Sequence, residues 1–188
     1  MVRPREFDED QVRESIMVTF WEKGYEATSM QDLVAATGLL KGSLYGAFGD
    51  KQNLYLIALE HYDQTRLQGG INALNSDGSV EERLARLFNS IIDSMNTGVF
   101  AGGCLLCDAS IEMATVDEKV QTRVKSQLRR LTETIQAVVS RNFENEADQE
   151  SITAMIVSSY FGARVLAKSG MPVEMIERTR DVCLERVA

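Results

Sequence analysis

The sequence has few of the residues on which most catalytic and metal sites depend. Its 188 residues include one histidine, His61, three cysteines and two prolines. A single histidine gives little support to a Ser-His or Cys-His pair, and no second pair of ligands accompanies Cys104-x-x-Cys107 to complete a zinc site. A glycine-rich phosphate loop is also absent. We therefore expect no metal, no cofactor and no catalytic residue, apart from the thiol chemistry considered below.

Long apolar runs are missing as well. No stretch approaches the about 18 consecutive apolar residues of a membrane-spanning helix, and the N-terminus, MVRPREFDED, lacks the pattern of a signal peptide. Three cysteines without an even-numbered framework are typical of a reducing compartment. These features predict a cytoplasmic protein that does not contact membranes.

No stretch alternates apolar and polar residues between turn residues, as a strand does. Apolar residues recur instead at helical spacings of three and four along most of the chain. The predicted fold class is therefore all-α. A fourth helix is expected to run to about Leu67, and Gly69-Gly70 is expected to begin the loop that follows it.

Residues 28–51, TSMQDLVAATGLLKGSLYGAFGDK, carry the most specific pattern. Thr28 or Ser29 can cap a helix that Gly38 ends, because a sharp turn between packed helices favours a residue free to take positive φ. A second short helix follows, with apolar residues one turn apart on its inner face. Two short helices joined by a turn of three or four residues that contains glycine describe a helix-turn-helix, whose second helix enters the DNA major groove.

The stretch from Val12 to Leu54 resembles the N-terminal domain of the TetR family of bacterial transcriptional regulators. The matching residues are Phe20, Gly24-Tyr25, Thr28-Ser29, Asp32-Leu33, Ala36, Gly38, Lys41-Gly42-Ser43-Leu44-Tyr45, Phe48 and Lys51. Two positions depart from the family pattern. Leu40 stands where family members usually have a capping Ser or Thr, and Ala47 stands where they often have His or Tyr.

The resemblance implies a homodimeric repressor that binds double-stranded DNA at a near-palindromic operator and is released by a small-molecule inducer. It implies a three-helix DNA-binding domain over residues 1–54 and a helical ligand-binding and dimerisation domain over residues 55–188. The residues expected at the DNA are Thr28, Ser29, Lys41, Gly42, Ser43, Tyr45 and Lys51.

The charge of the chain constrains how it can bind DNA. The net charge is −8, and even residues 1–51 hold six Lys and Arg against nine Asp and Glu. Between Ala27 and Gly49 the only charged residues are Asp32 and Lys41. Contacts with phosphate must then depend on helix N-termini, backbone N–H groups and hydroxyls as well as on cations, so we expect a modest salt dependence.

The stretch GGCLLCDASIEMA resembles a segment of one branch of the TetR family, and some family members sense electrophiles or oxidants through a cysteine. Cys104 is expected to be the more acidic thiol, because it lies near a helix N-terminus, although the charge of Asp108 would raise its pKa. Cys107 is expected to be the more buried of the two. Two inert core cysteines, or a small cytosolic thiol oxidoreductase that uses both, are the alternatives. The residues expected to line the ligand site are Phe88, Met95, Phe100, Cys104, Cys107 and Tyr160.

Residues 150–168, ESITAMIVSSYFGARVLAK, are apolar on two faces of a helix. Such a helix must be covered on both faces, and a partner subunit can cover the second. The alternative is a central helix of the subunit's own core. With the last helix, which Pro172 begins, the expected dimer-interface residues are Ile152, Ile156, Ser159, Gly162, Ala163, Leu166, Ile176 and Cys183.

Overall fold

The computed structural model describes residues 8–98 and 103–188. These residues form helices and connecting turns with no β-strand among them, which confirms the all-α prediction. Phe100, expected at the ligand site, lies outside the described residues. The helices are α1 (Glu9–Lys23), α2 (Met30–Thr37), α3 (Lys41–Phe48), α4 (Lys51–Tyr62), a π-type segment (Asp63–Leu67), α5 (Gln68–Asn75), α6 (Val80–Thr97), α7 (Leu105–Glu112), α8 (Glu118–Val139), α9 (Glu146–Lys168) and α10 (Val173–Glu185).

Polar side chains and glycines set the ends of the helices. Asp8 accepts backbone N–H groups at the start of α1, and Ser29 and Ser79 each form a reciprocal capping box at the start of α2 and α6. Gly24 and Gly38 end α1 and α2 with φ of 81° and 68°, a region that residues with a side chain rarely adopt. The helix-turn-helix boundaries were thus correctly predicted from sequence.

The loop predicted at Gly69-Gly70 is wrong. Both glycines lie inside α5, which continues α4 through the π-type segment, and the chain leaves helix only after Asn75. Packing against α6 outweighs the low helix propensity of glycine, because it buries Ile71 and Leu74. Gly70 also lets the two helices approach closely, since a Cβ there would lie 3.1 Å from Leu87 Cδ1.

The helix-turn-helix is held on α4 by a cluster of aromatic rings. Tyr55 of α4 is fully buried, and its ring centroid lies 5.0 Å from that of Phe20 and 4.9 Å from that of Tyr25. Edge-to-face contacts of this kind stabilise a pair beyond the area it buries. The division expected after residue 54 therefore falls inside α4, between the buried residues Leu54 and Tyr55.

The larger part of the chain surrounds a continuous apolar core. Helix α6 packs on α5 and α10, and α8 packs on α9 and α5. Leu84, Leu87 and Phe88 of α6 are fully buried, as are Leu131 and Ile135 of α8. No helix in the described part of the chain is long and apolar enough to cross a bilayer.

Candidate nucleic-acid interface and thiol site

Helix α3 presents a small, polar face to solvent. Leu44 and Phe48 anchor its inner side, whereas Lys41, Gly42, Ser43 and Tyr45 on its outer side are exposed. The Lys41 ammonium lies 5.8 Å from the centroid of the Tyr45 ring, which keeps cation and phenol together. The outer face thus offers a cation and two hydroxyls on a helix held firmly from behind.

Gly46 belongs to the same outer face and was not singled out from the sequence. A Cβ added at Gly42 or at Gly46 would meet no heavy atom within 4 Å. The two glycines are one turn apart, so they form an open strip where another molecule can approach the α3 backbone closely. The spacing of the two glycines was the signal available in the sequence.

The start of α3 has no side-chain cap. Leu40 occupies the N-cap position, makes no capping hydrogen bond and is 79% exposed. The first N–H groups of a helix lack intrahelical partners and carry the positive end of the helix dipole. An anion such as a DNA phosphate can therefore occupy the place that a capping Ser or Thr oxygen fills in related proteins.

The structure corrects one expected DNA contact. Thr28 is buried, and its hydroxyl donates to the Gly24 carbonyl at 2.6 Å, so it stabilises the turn instead of facing outward. Ser29 is exposed at the start of α2, but its hydroxyl is shared with Asp32. A 2.5 Å ion pair with Lys23, followed by the Ser29 contacts, holds the pKa of Asp32 far below its usual range.

Lys51 lies at the first position of α4, beside the turn between α1 and α2. Its ammonium is 4.4 Å from the centroid of the Tyr25 ring and 3.5 Å from the Glu26 carbonyl. Both partners are neutral, so the charge of Lys51 is not cancelled by either of them. Lys41 and Lys51 are therefore the lysines, among the described residues in or next to the helix-turn-helix, with charge available to a phosphate, whereas Lys23 is paired with Asp32.

The two cysteines lie at the start of α7. Cys104 is the N-cap residue and is only 4% exposed, whereas Cys107 is partly exposed, so the expected order of burial is wrong. The cause is the Tyr62 side chain, whose hydroxyl lies 3.5 Å from Cys104 Sγ inside the core. Among the described residues, no further His, Asp or Glu joins the cysteines to form a metal-binding group.

The surroundings of Cys104 favour its thiolate. The Cys107 thiol donates a hydrogen bond to it, and the positive charge of Arg164 and the Tyr62 hydroxyl add to this effect, so the pKa of Cys104 falls to about 6 in spite of burial. Its hydrogen bond to Cys104, together with burial, raises the pKa of Cys107. Asp108 is directed away, because its carboxylate binds Lys168 Nζ at 2.6 Å.

Arg164 is a functional candidate that the sequence analysis did not single out. It donates to the Tyr160 hydroxyl at 2.8 Å, to the Ser90 hydroxyl at 3.1 Å and to the Gly103 carbonyl at 3.4 Å. All three acceptors are neutral. The available signal was a charged residue within the otherwise apolar helix formed by residues 150–168.

A cavity of about 480 Å³ opens beside Arg164. Its wall residues come from α1, the α4–α5 segment, α6 and α9; they are Trp21, Tyr62, Thr65, Arg66, Gly69, Gly70, Ser90, Asp93, Ser94, Thr97 and Arg164. None of the expected ligand residues that the structure describes is among them. Phe88 and Tyr160 pack edge to face in the core, 5.8 Å between centroids, and Met95 packs against the same core.

In helices α9 and α10, several residues expected at the dimer interface face the core of their own subunit, and other residues face outward. Ile156, Ala163 and Ile176, expected at the dimer interface, are buried inside their own subunit. Ile152, Ser159 and Leu166 are half-buried, Gly162 is exposed, and Cys183 lies at the floor of a groove. The outward residues are instead Val165, Met175 and Val182, which are 45%, 39% and 53% exposed.

Helix α7 joins the thiol site to the helix-turn-helix. Glu112, at its last turn, accepts the Tyr25 backbone N–H at 2.6 Å, in the turn between α1 and α2. A Cβ at Gly24 would lie 2.4 Å from Glu112 Oε1, so the absence of a side chain at Gly24 makes room for the carboxylate. Cys104 is thus connected to Tyr25 through one short helix and one charge-assisted hydrogen bond.

Comparison with known proteins gives consistent matches. The family model for bacterial regulatory proteins of the tetR family matches residues 14–57, and that for the tetracyclin repressor-like C-terminal domain matches residues 80–182. The uncharacterized HTH-type transcriptional regulator YezE of Bacillus subtilis is 30% identical over 131 residues, 70% of this chain and 68% of that protein. The HTH-type transcriptional repressor ComR of Escherichia coli is 31% identical over 125 residues, 66% of this chain and 60% of that protein.

Solved structures agree over nearly the whole chain. A cysteine mutant of the TetR family regulator CifR, crystallised with 26-bp double-strand operator DNA, superposes with a TM-score of 0.83. It is 27% identical, and the match covers 97% of this chain and 98% of the CifR chain.

The first prediction concerns the ionisation of Cys104. The rate of its alkylation by iodoacetamide should rise with pH around a midpoint of about 6 and be level above pH 7, because the thiolate is the nucleophile. Cys107→Ala removes the strongest donor to that thiolate, so the midpoint should move to higher pH. Mass spectrometry of the Cys104 peptide measures both rates. A midpoint near 8.5 in the unaltered protein would contradict the assignment.

Proposed function

This chain belongs to the TetR family of bacterial regulatory proteins, and on that premise we propose that it is a homodimeric repressor that binds a near-palindromic DNA operator. The observation that carries the proposal is the outer face of α3, on which Lys41, Gly42, Ser43 and Tyr45 are all exposed. One such helix in each subunit of a two-fold dimer reads two half-sites about one DNA turn apart.

The contacts with DNA divide into two kinds. Ser43 and Tyr45 carry hydroxyls that can reach base edges, and the glycine strip lets α3 enter the major groove closely. Lys41, Lys51 and the uncapped start of α3 are placed for phosphates. Because each cation that neutralises a phosphate adds about −0.9 to the salt slope, a head with so few free cations should bind with a shallow slope.

The second prediction tests this face. Lys41→Ala and Tyr45→Phe should each weaken operator binding by about 1–3 kcal/mol, and only Lys41→Ala should reduce the salt slope. Lys125→Ala, at an exposed lysine on α8, is the matched control and should change neither quantity. Fluorescence anisotropy with a labelled operator at several salt concentrations measures the effect. Unchanged binding by both α3 variants, with unchanged helicity and melting, would rule out the proposed docking.

A second copy of the chain is the proposed cover for the outer face of α9 and α10. The exposed Met175 and Val182 line a groove of about 740 Å³ between the two helices, and Val165 is exposed on α9. Gly162 on the same side of α9 is exposed, and a Cβ there would meet nothing within 4 Å in its own subunit. Two such helices from each subunit would form a four-helix interface with a close approach at Gly162.

The third prediction uses that open space. Gly162→Leu should leave the fold of one subunit intact but clash with the partner helix, which costs about 1–3 kcal/mol of packing and shifts the protein toward monomer. Ala137→Leu, at an exposed position of α8, should leave the dimer unchanged. Light scattering across a dilution series reports the mass. A protein that is monomeric at micromolar concentration before any substitution would contradict the interface.

The effector side of the proposal is a response to thiol modification or to a small molecule in the larger helical part. Cys104 combines a lowered pKa with a position in the packed core, where an added group cannot be accommodated without movement. The helix that would move, α7, holds the Tyr25 N–H through Glu112. Displacement of α7 would therefore disturb the turn before α2 and change the spacing of the two DNA-reading heads.

The fourth prediction follows from this connection. Iodoacetamide should release the unaltered protein from its operator, Cys104→Ser should resist, and Cys107→Ser should still respond. Peroxide should release the unaltered protein as well. It oxidises the Cys104 thiolate to a sulfenic acid, which the Cys107 thiol can condense with to form a disulfide and water. Electrophoretic mobility shift with parallel mass spectrometry measures release and modification together.

Two results would count against a sensing role. Release that survives Cys104→Ser, or full modification of Cys104 without release, would leave the two cysteines as core packing. Catalytic turnover of a disulfide substrate by Cys104 and Cys107 would instead support the alternative, a thiol oxidoreductase. Cys104→Ser tests this alternative, because it should abolish any turnover that depends on the Cys104 thiol.

A further inference from the structure

We propose that the cavity beside Arg164 receives a small electrophile that carries a negative charge, such as a carboxylate, and that Arg164 binds this charge while Cys104 attacks the electrophile. The inference rests on the proposed sensing role of Cys104 and adds the chemical class of the effector. It depends on the unmatched charge of Arg164, on the shape of the cavity and on the position of the thiol.

Among the described residues, Arg164 has no carboxylate partner. Its hydrogen bonds all go to neutral oxygens, those of Tyr160, Ser90 and Gly103. Within residues 8–98 and 103–188, no Asp or Glu oxygen lies within 4 Å of its guanidinium. A charge withdrawn from water is usually paired, and a planar guanidinium is suited to binding a carboxylate. Arg164 is therefore a half-buried cation whose counter-ion must come from a thiolate or from a ligand.

The cavity is of a size and polarity to supply that ligand. About 480 Å³ lies within the range of small-molecule sites, and the walls carry hydroxyls from Thr65, Ser90, Ser94 and Thr97. Tyr62 and Trp21, whose rings pack edge to face 5.1 Å apart, supply the apolar part of the wall. The site can hold a short organic acid, with its charge at Arg164 and its carbon chain against the rings.

The other charges around the cavity do not cancel Arg164. Arg66 is bound by Glu14, so that pair is neutral overall. Asp93 is the one acid of the wall, and it is exposed on α6, where water and salt weaken its field. Among the described wall residues, none therefore cancels the charge of Arg164, which offsets the negative charge of the Cys104 thiolate.

Cys104 lies close to Arg164. Arg164 Nη1 donates at 3.4 Å to the carbonyl of Gly103, the residue before Cys104. The Tyr62 hydroxyl, at 3.5 Å from Cys104 Sγ, belongs to a residue of the cavity wall. Tyr62 thus lies between the cavity and the thiol, and in this proposal its side chain moves to let a ligand anchored at Arg164 reach Cys104.

The chemistry needs no oxidant or other co-reactant. With an α-halo acid, the thiolate sulfur forms a bond to the α-carbon and the halide leaves with the bonding electron pair. With an α,β-unsaturated acid, the sulfur bonds to the β-carbon, the π electrons move to the α-carbon and a proton from water completes the adduct. In both cases the carboxylate remains free to bind Arg164.

Iodoacetate and iodoacetamide provide the test, because they have nearly the same shape and differ in charge. The rates of both reactions at Cys104 are measured by mass spectrometry on the full chain, folded and in urea. The ratio of the iodoacetate rate to the iodoacetamide rate should be roughly tenfold higher in the folded protein than in urea. A change in thiolate fraction alters both rates equally, so the ratio reports the potential and not the pKa.

Arg164→Gln should return the ratio to its value in urea. Lys168→Gln is the matched control, because Lys168 lies one turn further along α9 but binds Asp108, and it should leave the ratio high. Equal ratios in folded and unfolded chains would overturn the proposal without recourse to any variant, and so would a high ratio that survives Arg164→Gln in a folded protein. Selective carboxymethylation that fails to release DNA would contradict the sensing role and leave the anion site supported.

Discussion

The helical segment of residues 51–75 packs against both the helix-turn-helix and the larger helical part of the chain, and the rest of the structure depends on this shared segment. Its first half carries Tyr55 into the aromatic cluster with Phe20 and Tyr25, which fixes the helix-turn-helix. Two turns further along, the same segment supplies Tyr62 to the thiol site and to the cavity wall. Because one continuous helix is packed into two cores, neither part can shift without some rearrangement of the other.

The π-type segment is where this shared helix departs from regular geometry. It spans Asp63–Leu67, next to the cavity, and such segments are frequent at functional sites. Two of the polar contacts that hold it come from α8. The Gln127 side chain donates to the Leu59 carbonyl at 2.9 Å, and Arg130 pairs with Asp63. Burial raises the pKa of Asp63 although Arg130 opposes the rise, so this carboxylate is a costly group whose partner matters.

The proposed thiol response would require an element that can take two arrangements, and α7 is the element that links the thiol to the helix-turn-helix. It is short, with the thiol before its first turn and Glu112 in its last. Its eight residues span about 12 Å, so in the proposed response a movement forced at Cys104 would be passed along one short helix to Glu112. The Gln52 side chain binds Asp117, the cap of α8, and gives the same junction a second polar contact. Both contacts are made by flexible side chains, which can exchange partners without unfolding a core.

Much of the helix-turn-helix could be predicted from sequence, because its signals are local: Ser29 caps, and Gly24 and Gly38 take positive φ. What failed depended on neighbours distant in sequence. Helical periodicity shows that residues 150–168 have two apolar faces, but not that Ile156 meets its own core while Val165 meets solvent. The cavity could not be predicted for the same reason, because its wall residues come from four separate parts of the chain. Composition likewise could not show that Tyr62 buries Cys104 more deeply than Cys107.

The net negative charge of the chain opposes binding to DNA, so it matters which lysines near the helix-turn-helix are neutralised by acidic residues. Of the three lysines in or next to the helix-turn-helix, Lys23 is cancelled by Asp32, whereas Lys41 and Lys51 are placed over aromatic rings. A cation over a ring keeps its full charge for a phosphate while its position is restricted, so less entropy is lost on binding. With few cations among the described residues of this region, we expect weak electrostatic attraction to any DNA, so the proposed operator binding would depend more on the fit of α3 and on both subunits binding together. Low positive charge would then favour selectivity, because non-specific binding to other DNA, which competes with binding to the operator, is weak.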